Sequence, residues 1–88
     1  NMARLTVYST GHCPICEKSK ALLQKWRIAY NEIRIDGDPA ALREFSRITR
    51  GARMVPQFTL DGEWIGGFAD LTELHMEGRL DELMEVGS

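Results

Sequence analysis

The chain has 88 residues, of which 11 are basic and 13 acidic, giving a net charge of −2, with 43% hydrophobic and 27% charged side chains. A chain this short buries only about 60% of its unfolded surface, enough for one small core, so a single domain spanning residues 1–88 is expected. The near-balanced charge supplies no basic face for nucleic acid and no polybasic membrane patch, and no apolar run approaches the ~18 residues of a membrane span. No signal peptide precedes the first apolar run, so a cytoplasmic location is expected. In that reducing setting the only two cysteines, Cys13 and Cys16, point to chemistry rather than to a disulfide scaffold.

In chain order, residues 4–8 form a short β-rich run suited to a central strand, and Ser9-Thr10-Gly11-His12 reads as a turn. From Pro14 to about Trp26 the spacing is helical. Cys16, Leu23 and Trp26 fall on one stripe with Leu22 beside it, while Glu17, Lys18, Gln24 and Lys25 fall mostly elsewhere. This puts Cys16 on the core side and Cys13 at an exposed tip. Residues 29–35 alternate apolar and polar and read as a second strand, so the first three elements predict a βαβ unit with parallel strands and a right-handed crossover. Asp38 and Pro39 supply the N-cap and first position of a second helix running to about Ile48, with Leu42, Phe45 and Ile48 facing the core. Gly51 breaks that pattern, and Arg47, Arg50 and Arg53 lie along the connection. Residues 55–60 are strand-like, Asp61-Gly62 is a tight hairpin turn into Glu63-Trp64-Ile65, and Gly66-Gly67 closes the strand. Helical spacing resumes from Phe68 to His75, Gly78 interrupts it, and Leu80, Leu83 and Met84 finish a short terminal helix. Trp64 and Phe68 are expected in the core. The predicted order is β-α-β-α-β-β-α-α.

The chemistry concentrates in Cys13-Pro14-Ile15-Cys16. Pro14 suits the first helical position, because its fixed φ fits a helix and its missing N–H has no intrahelical partner there. Cys13 then falls at the N-cap, facing outward-pointing N–H groups and the positive end of the helix dipole. A thiolate there is stabilised, so its pKa is expected to drop from about 8.5 towards the range of roughly 3.5–7.5 of activated cysteines. Cys16 lies one turn on. Tetrahedral zinc would need about four ligands, and His12 and His75 form no second ligand pair. A structural disulfide across two residues would constrain the unfolded chain very little, and inert thiols would leave the proline unexplained. The stretch reads as a dithiol redox centre, in which an accessible nucleophile is served by a shielded second thiol.

Three motifs in this order and at these separations resemble a glutaredoxin along nearly the whole chain: Cys13-Pro14-Ile15-Cys16, Met54-Val55-Pro56-Gln57, and Asp61-Gly62 with Ile65-Gly66-Gly67-Phe68-Ala69-Asp70-Leu71. The resemblance implies an α/β thioredoxin fold, with a four-stranded mixed sheet in spatial order 2-1-3-4 and helices on both faces. It implies a cis Val55–Pro56 bond beside Cys13, with Pro14 and Pro56 shaping how substrate is presented. It also implies a glutathione site: the Val55 backbone pairs with the cysteinyl part, and Gly67, Phe68, Ala69 and Asp70 hold the γ-glutamyl carboxylate at a helix start. Ile15, Met54 and Pro56 complete that site, with Arg53 or Arg50 for the glycyl carboxylate. The physics agrees, since helix N-termini and arginines suit the two carboxylates of glutathione.

Several positions depart from the family pattern. Ile15 stands where tyrosine is common, Met54 where threonine is, Ala69 where an acidic residue is frequent, and Thr10 where a lysine often sits. Trp64 with Gly67-Phe68-Ala69-Asp70 is also similar to the redoxins that serve ribonucleotide reductase and draw electrons from thioredoxin reductase. The function implied is glutathione-dependent thiol–disulfide oxidoreduction through Cys13 and Cys16. Its substrates are disulfide-containing or glutathionylated proteins, glutathione is the co-substrate, and no tightly bound cofactor or metal is implied. The acting species is a monomer without nucleic-acid or membrane partners. Two alternatives stay open: reduction by thioredoxin reductase, and a dimer carrying an iron–sulfur cluster through Cys13 and glutathione.

Overall fold

The computed structural model of the protein describes residues 3–85. Strand β1 (Leu5–Ser9) is the hub of a four-stranded sheet in the order β2-β1-β3-β4. It runs parallel to β2 (Tyr30–Arg34), with Leu5 opposite Tyr30 and Ser9 opposite Arg34. It runs antiparallel to β3 (Gln57–Leu60), with Leu5 opposite Leu60 and Tyr8 opposite Gln57. Strand β4 (Glu63–Gly67) closes the hairpin through Asp61 and Gly62, whose positive φ values of 51° and 83° are those of the mirror-image turn that suits the strand twist. The expected order 2-1-3-4 is the observed one, and with helices on both faces this is the thioredoxin fold.

The two helix starts predicted from proline and a capping side chain form as expected. Helix α1 (Pro14–Lys25) has Cys13 as N-cap, and α2 (Pro39–Ile48) has Asp38, whose carboxylate accepts the Ala41 N–H at 3.1 Å. Helices α3 (Phe68–Met76) and α4 (Arg79–Glu85) follow. Successive strand residues face opposite ways, so β1 serves two cores. Leu5 and Val7 join Leu23, Ile28, Phe58, Leu60, Leu71 and Leu80 under α1, α3 and α4. Tyr8 turns to the other face and meets Ile35 and Phe45 under α2, with its ring 5.7 Å from that of Phe45.

Three positions differ from the sequence reading. Leu42 is exposed, because the buried stripe of α2 runs through Ala41, Phe45 and Ile48 and leaves Leu42 on the flank, against Ile35 and Pro39. Trp64 is half out of the core. The two-residue turn sets Leu60 opposite Glu63 and Trp64 opposite Thr59, so Trp64 points to the α2 face beyond the Tyr8–Ile35–Phe45 cluster; the register shifts only after it, at Ile65. Phe68 is likewise only partly buried. On α1 the stripe holds, but it includes the fully buried Ser19, whose hydroxyl donates to the Ile15 carbonyl at 2.7 Å and so adds no orphan polar group to the core. No helix among the described residues is long and apolar enough to cross a membrane.

Candidate active site

Cys13 has extended backbone angles (φ −134°, ψ 96°), as an N-cap residue should, and its carbonyl accepts the Glu17 N–H at 3.1 Å. Its sulfur takes the place of the usual capping oxygen. The Cys16 N–H donates to it at 3.0 Å, and Pro14 at the first helical position leaves no competing donor of its own. Cys13 and Cys16 are joined as a disulfide, so the structure is the oxidised form. Cys16 is fully buried and Cys13 partly so, which makes Cys13 the more accessible sulfur, though less of a bare tip than expected. The Val55 carbonyl oxygen lies 3.9 Å from the Cys13 sulfur, a van der Waals contact because a disulfide sulfur carries no proton.

Val55–Pro56 is a cis bond, as the resemblance implied, and it sets the Val55 carbonyl beside the sulfur pair. Next to it opens a cleft of about 380 Å³ walled by the cis-proline loop (Met54, Val55, Pro56), the α3 start (Gly67, Phe68, Ala69, Asp70), and Ile15 from the active-site turn of α1. Eight of the nine residues expected to bind glutathione are therefore brought together. Arg53 is the exception: it is exposed and outside the cleft wall, as are Arg50 and His12.

The start of α3 has no side-chain cap from Gly67. Instead the Asp70 carboxylate accepts the Gly67 N–H at 2.9 Å, and the first-turn residues Phe68, Ala69 and Asp70, whose N–H groups have no intrahelical partner, line the cleft end. Gly66, at φ +117°, makes the bend that feeds this helix, and a β-carbon there would run into Asp70. Lys18 on α1 reaches across to the Phe68 ring, with its nitrogen 5.5 Å from the centroid, adding a cation at the same end.

Two cleft residues were missed from the sequence, Gln57 and Trp64. Gln57 is 8% exposed, and its amide spans two segments. The Nε2 donates to the Met54 carbonyl at 3.1 Å, and the Oε1 accepts the Trp64 indole N–H at 2.8 Å. Only this orientation works, since a carbonyl can only accept and an indole N–H can only donate. A long amide side chain in a fully buried strand was the available signal for Gln57, and the need of any indole N–H for a partner was the signal for Trp64.

A glutaredoxin family model matches residues 5–65. Glutaredoxin 3 of Escherichia coli (strain K12) is 39% identical over 84 residues, covering 96% of this chain and 100% of that protein. Glutaredoxin 1 of Rickettsia typhi is 38% identical over 83 residues, covering 93% of this chain and 80% of that one. The solution structure of glutaredoxin from Brucella melitensis superposes with a TM-score of 0.80 at 32% identity, covering 99% of this chain and 94% of that one. Buckwheat glutaredoxin, solved as a complex with glutathione, superposes with a TM-score of 0.79 at 26% identity, covering 93% and 76%. With a capping cysteine pair beside a cis-proline loop, the sheet order of a thioredoxin fold and relatives of this closeness, the chain belongs to the glutaredoxin family of thiol–disulfide oxidoreductases.

Proposed function

We propose that the protein reduces glutathione mixed disulfides and protein disulfides, with Cys13 as the nucleophile, Cys16 as the resolving thiol and glutathione as the electron donor. The observation that carries the reading is the Cys13 sulfur as cap of α1, receiving the Cys16 N–H at 3.0 Å and lying 3.9 Å from the carbonyl of Val55, which walls the cleft. Reduced, that sulfur is a thiolate favoured by the N–H donor and the helix dipole. It attacks the glutathione sulfur of a mixed disulfide; a Cys13–glutathione disulfide forms, and the protein thiolate leaves to take a proton from water. A second glutathione thiolate then attacks the bound glutathione sulfur, releasing Cys13 thiolate and oxidised glutathione. With a protein disulfide, Cys13 forms a mixed disulfide with one protein sulfur and releases the other as thiolate. Cys16 gives up its proton and attacks Cys13, which expels the substrate's remaining thiolate and closes the Cys13–Cys16 bond. Two glutathiones reopen it, and two electrons pass in each cycle.

The cleft suits glutathione by its composition. The start of α3 and Lys18 favour a carboxylate at one end, and the Val55 main chain lies beside the sulfur at the other. Ile15, Met54, Pro56, Gly67, Phe68, Ala69 and Asp70 form the receptor, and Arg53 meets the glycyl carboxylate from outside the cleft wall. The acting species is one chain, a single domain over residues 1–88 working in the cytoplasm. The buckwheat relative's complex with glutathione supports the choice of co-substrate.

The test is Cys16→Ser. This variant should still remove glutathione from mixed disulfides, because that cycle needs only Cys13, and should lose reduction of protein disulfides by the two-thiol route. Cys13→Ser should lose both. An inactive Cys16→Ser, in a protein whose wild type is readily reduced by thioredoxin reductase and NADPH, would move the electron donor from glutathione to that flavoenzyme.

A further inference from the structure

Between Ser9, the last residue of β1, and Cys13 the chain crosses an exposed turn whose main chain is held from β2. The Ile35 N–H donates to the Ser9 carbonyl at 3.0 Å, and the Gly11 N–H donates not to main chain but to the Asp36 carboxylate at 3.0 Å. Arg34 grips the same carboxylate with a fork, Nε to Oδ1 at 2.8 Å and Nη2 to Oδ2 at 2.7 Å. The guanidinium also lies close to Gly11. A β-carbon on Gly11 would collide with the end of Arg34, and Gly11 is not among the positive-φ glycines, so what glycine gives there is room for the guanidinium and not a special backbone conformation.

We propose that Asp36 and Arg34 are positioning residues for the nucleophile: a two-residue clamp at the end of β2 and in the turn after it that holds the turn at Gly11 and so fixes Cys13 at the cap of α1. A chain leaving Gly11 has one residue, His12, before it must enter the cap geometry in which the Cys13 sulfur receives the Cys16 N–H. Slack at Gly11 is therefore passed almost directly to the sulfur. The Asp36 carboxyl is held well below the usual carboxylate range, chiefly by Arg34 and then by the Gly11 N–H, so the clamp stays charged at any pH where a thiolate forms. The other charges near it are Glu32 and Glu17, both engaged by Lys20 on α1, with exposed His12 in the turn itself. None of these reaches Gly11, and the neighbouring network ties α1 to β2 without holding the turn.

The inference rests on Cys13 being the nucleophile but not on glutathione being the donor, so its first readout, the pH midpoint of Cys13 alkylation, needs no glutathione. The rate of Cys13 alkylation is followed against pH in Asp36→Ala, Asp36→Asn and Gly11→Ala, alongside thermal unfolding. Asp36→Ala should raise the midpoint by about half a pH unit, the size of a weakened helix-terminus interaction. Asparagine still accepts from Gly11 and should restore part of the shift. Gly11→Ala leaves both charges in place and displaces only the flexible end of Arg34, so it should fold and still raise the midpoint. Turnover of a mixed disulfide should show kcat lowered about threefold with KM unchanged, since the cleft is untouched. An unshifted midpoint and kcat in folded Asp36→Ala, or in Gly11→Ala should the former not fold, would reduce the clamp to a surface ion pair and overturn the proposal. Shifted midpoints in a protein that glutathione does not reduce would leave the clamp standing and sink the donor instead.

Discussion

The Gln57 amide offers the sharpest test of how the cleft is held. Gln57→Leu keeps the size of the side chain and removes two hydrogen bonds, to the Met54 carbonyl and from the Trp64 indole. Each is worth about 0.5–1.5 kcal/mol net, so the gross loss is about 1–3 kcal/mol. Met54 is 72% exposed and Trp64 42%, so water reaches both released partners and neither becomes a buried orphan. Leucine also regains some apolar burial at a site only 8% exposed. The expected loss is therefore about 1–2 kcal/mol, read as a lower urea midpoint and a melting point lower by roughly 5–15 °C for a chain of this length. The consequence for function is separate. In the wild type the Met54–Pro56 loop and the indole are ordered before substrate arrives; in the variant that ordering falls on the binding step. The same ~1–2 kcal/mol should then raise the KM for glutathione roughly 5–30-fold with kcat nearly unchanged, since Cys13 keeps its cap. Gln57→Asn, too short to span both partners, should lie between. A stable Gln57→Leu with unchanged KM would refute the idea that this amide preorganises the cleft.

Two further outcomes follow from the core and from the Ser9–Glu32–Lys20 network. Phe58 is fully buried at the centre of the larger core, so Phe58→Ala should cost about 3–5 kcal/mol in urea unfolding, a large part of the stability of a domain this small. Glu32 is held below its ordinary 4.5 first by the Ser9 hydroxyl at 2.6 Å and then by Lys20 at 2.9 Å. A depressed carboxylate contributes stability that is full above its unfolded value and is lost as pH falls through the folded one. Acid titration of stability below about 4.5 should therefore be less steep in Glu32→Gln, and an identical slope in variant and wild type would remove Glu32 as a source of acid sensitivity.

What could be read in the sequence was what the backbone decides locally. Pro14 after Cys13 and Pro39 after Asp38 announce helix starts because ring and cap act within one turn, and Asp61-Gly62 announces a hairpin because both residues tolerate positive φ. On α2, Phe45 and Ile48 face the core as the stripe places them, and only its first position moves, from Leu42 to Ala41. Apolar periodicity cannot tell Ala41 from Leu42 as the inward position until the edge of the sheet is known, and β2 is the edge. Trp64, expected in the core, lies half exposed on the cleft. The hairpin register sets Trp64 opposite Thr59, on the face of Thr6 and Tyr8, where it lines the cleft and bonds Gln57, a partner seven residues away that the local pattern does not name. The Gly11–Asp36 bond joins residues 25 apart in sequence, and nothing in either local stretch names the other.

This division runs through the site itself. The nucleophile half is nearly all local: Cys13, Pro14 and the Cys16 N–H lie within four residues, and the helix supplies the rest. The receptor half is assembled from the α1 start, the cis-proline loop and the β4–α3 junction, joined by a Gln57 amide and an Asp70 carboxylate. The side chains of Ile15, Met54 and Ala69 line the cleft without forming the sulfur's cap, and the main-chain donors of α3 and the Val55 carbonyl do not depend on them. Changes in the cleft should accordingly appear in KM, and changes in the turn before Cys13 in kcat and in thiolate formation. A single substitution in the cleft that moved the Cys13 titration as strongly as one at Asp36 would show that the two halves are mechanically one.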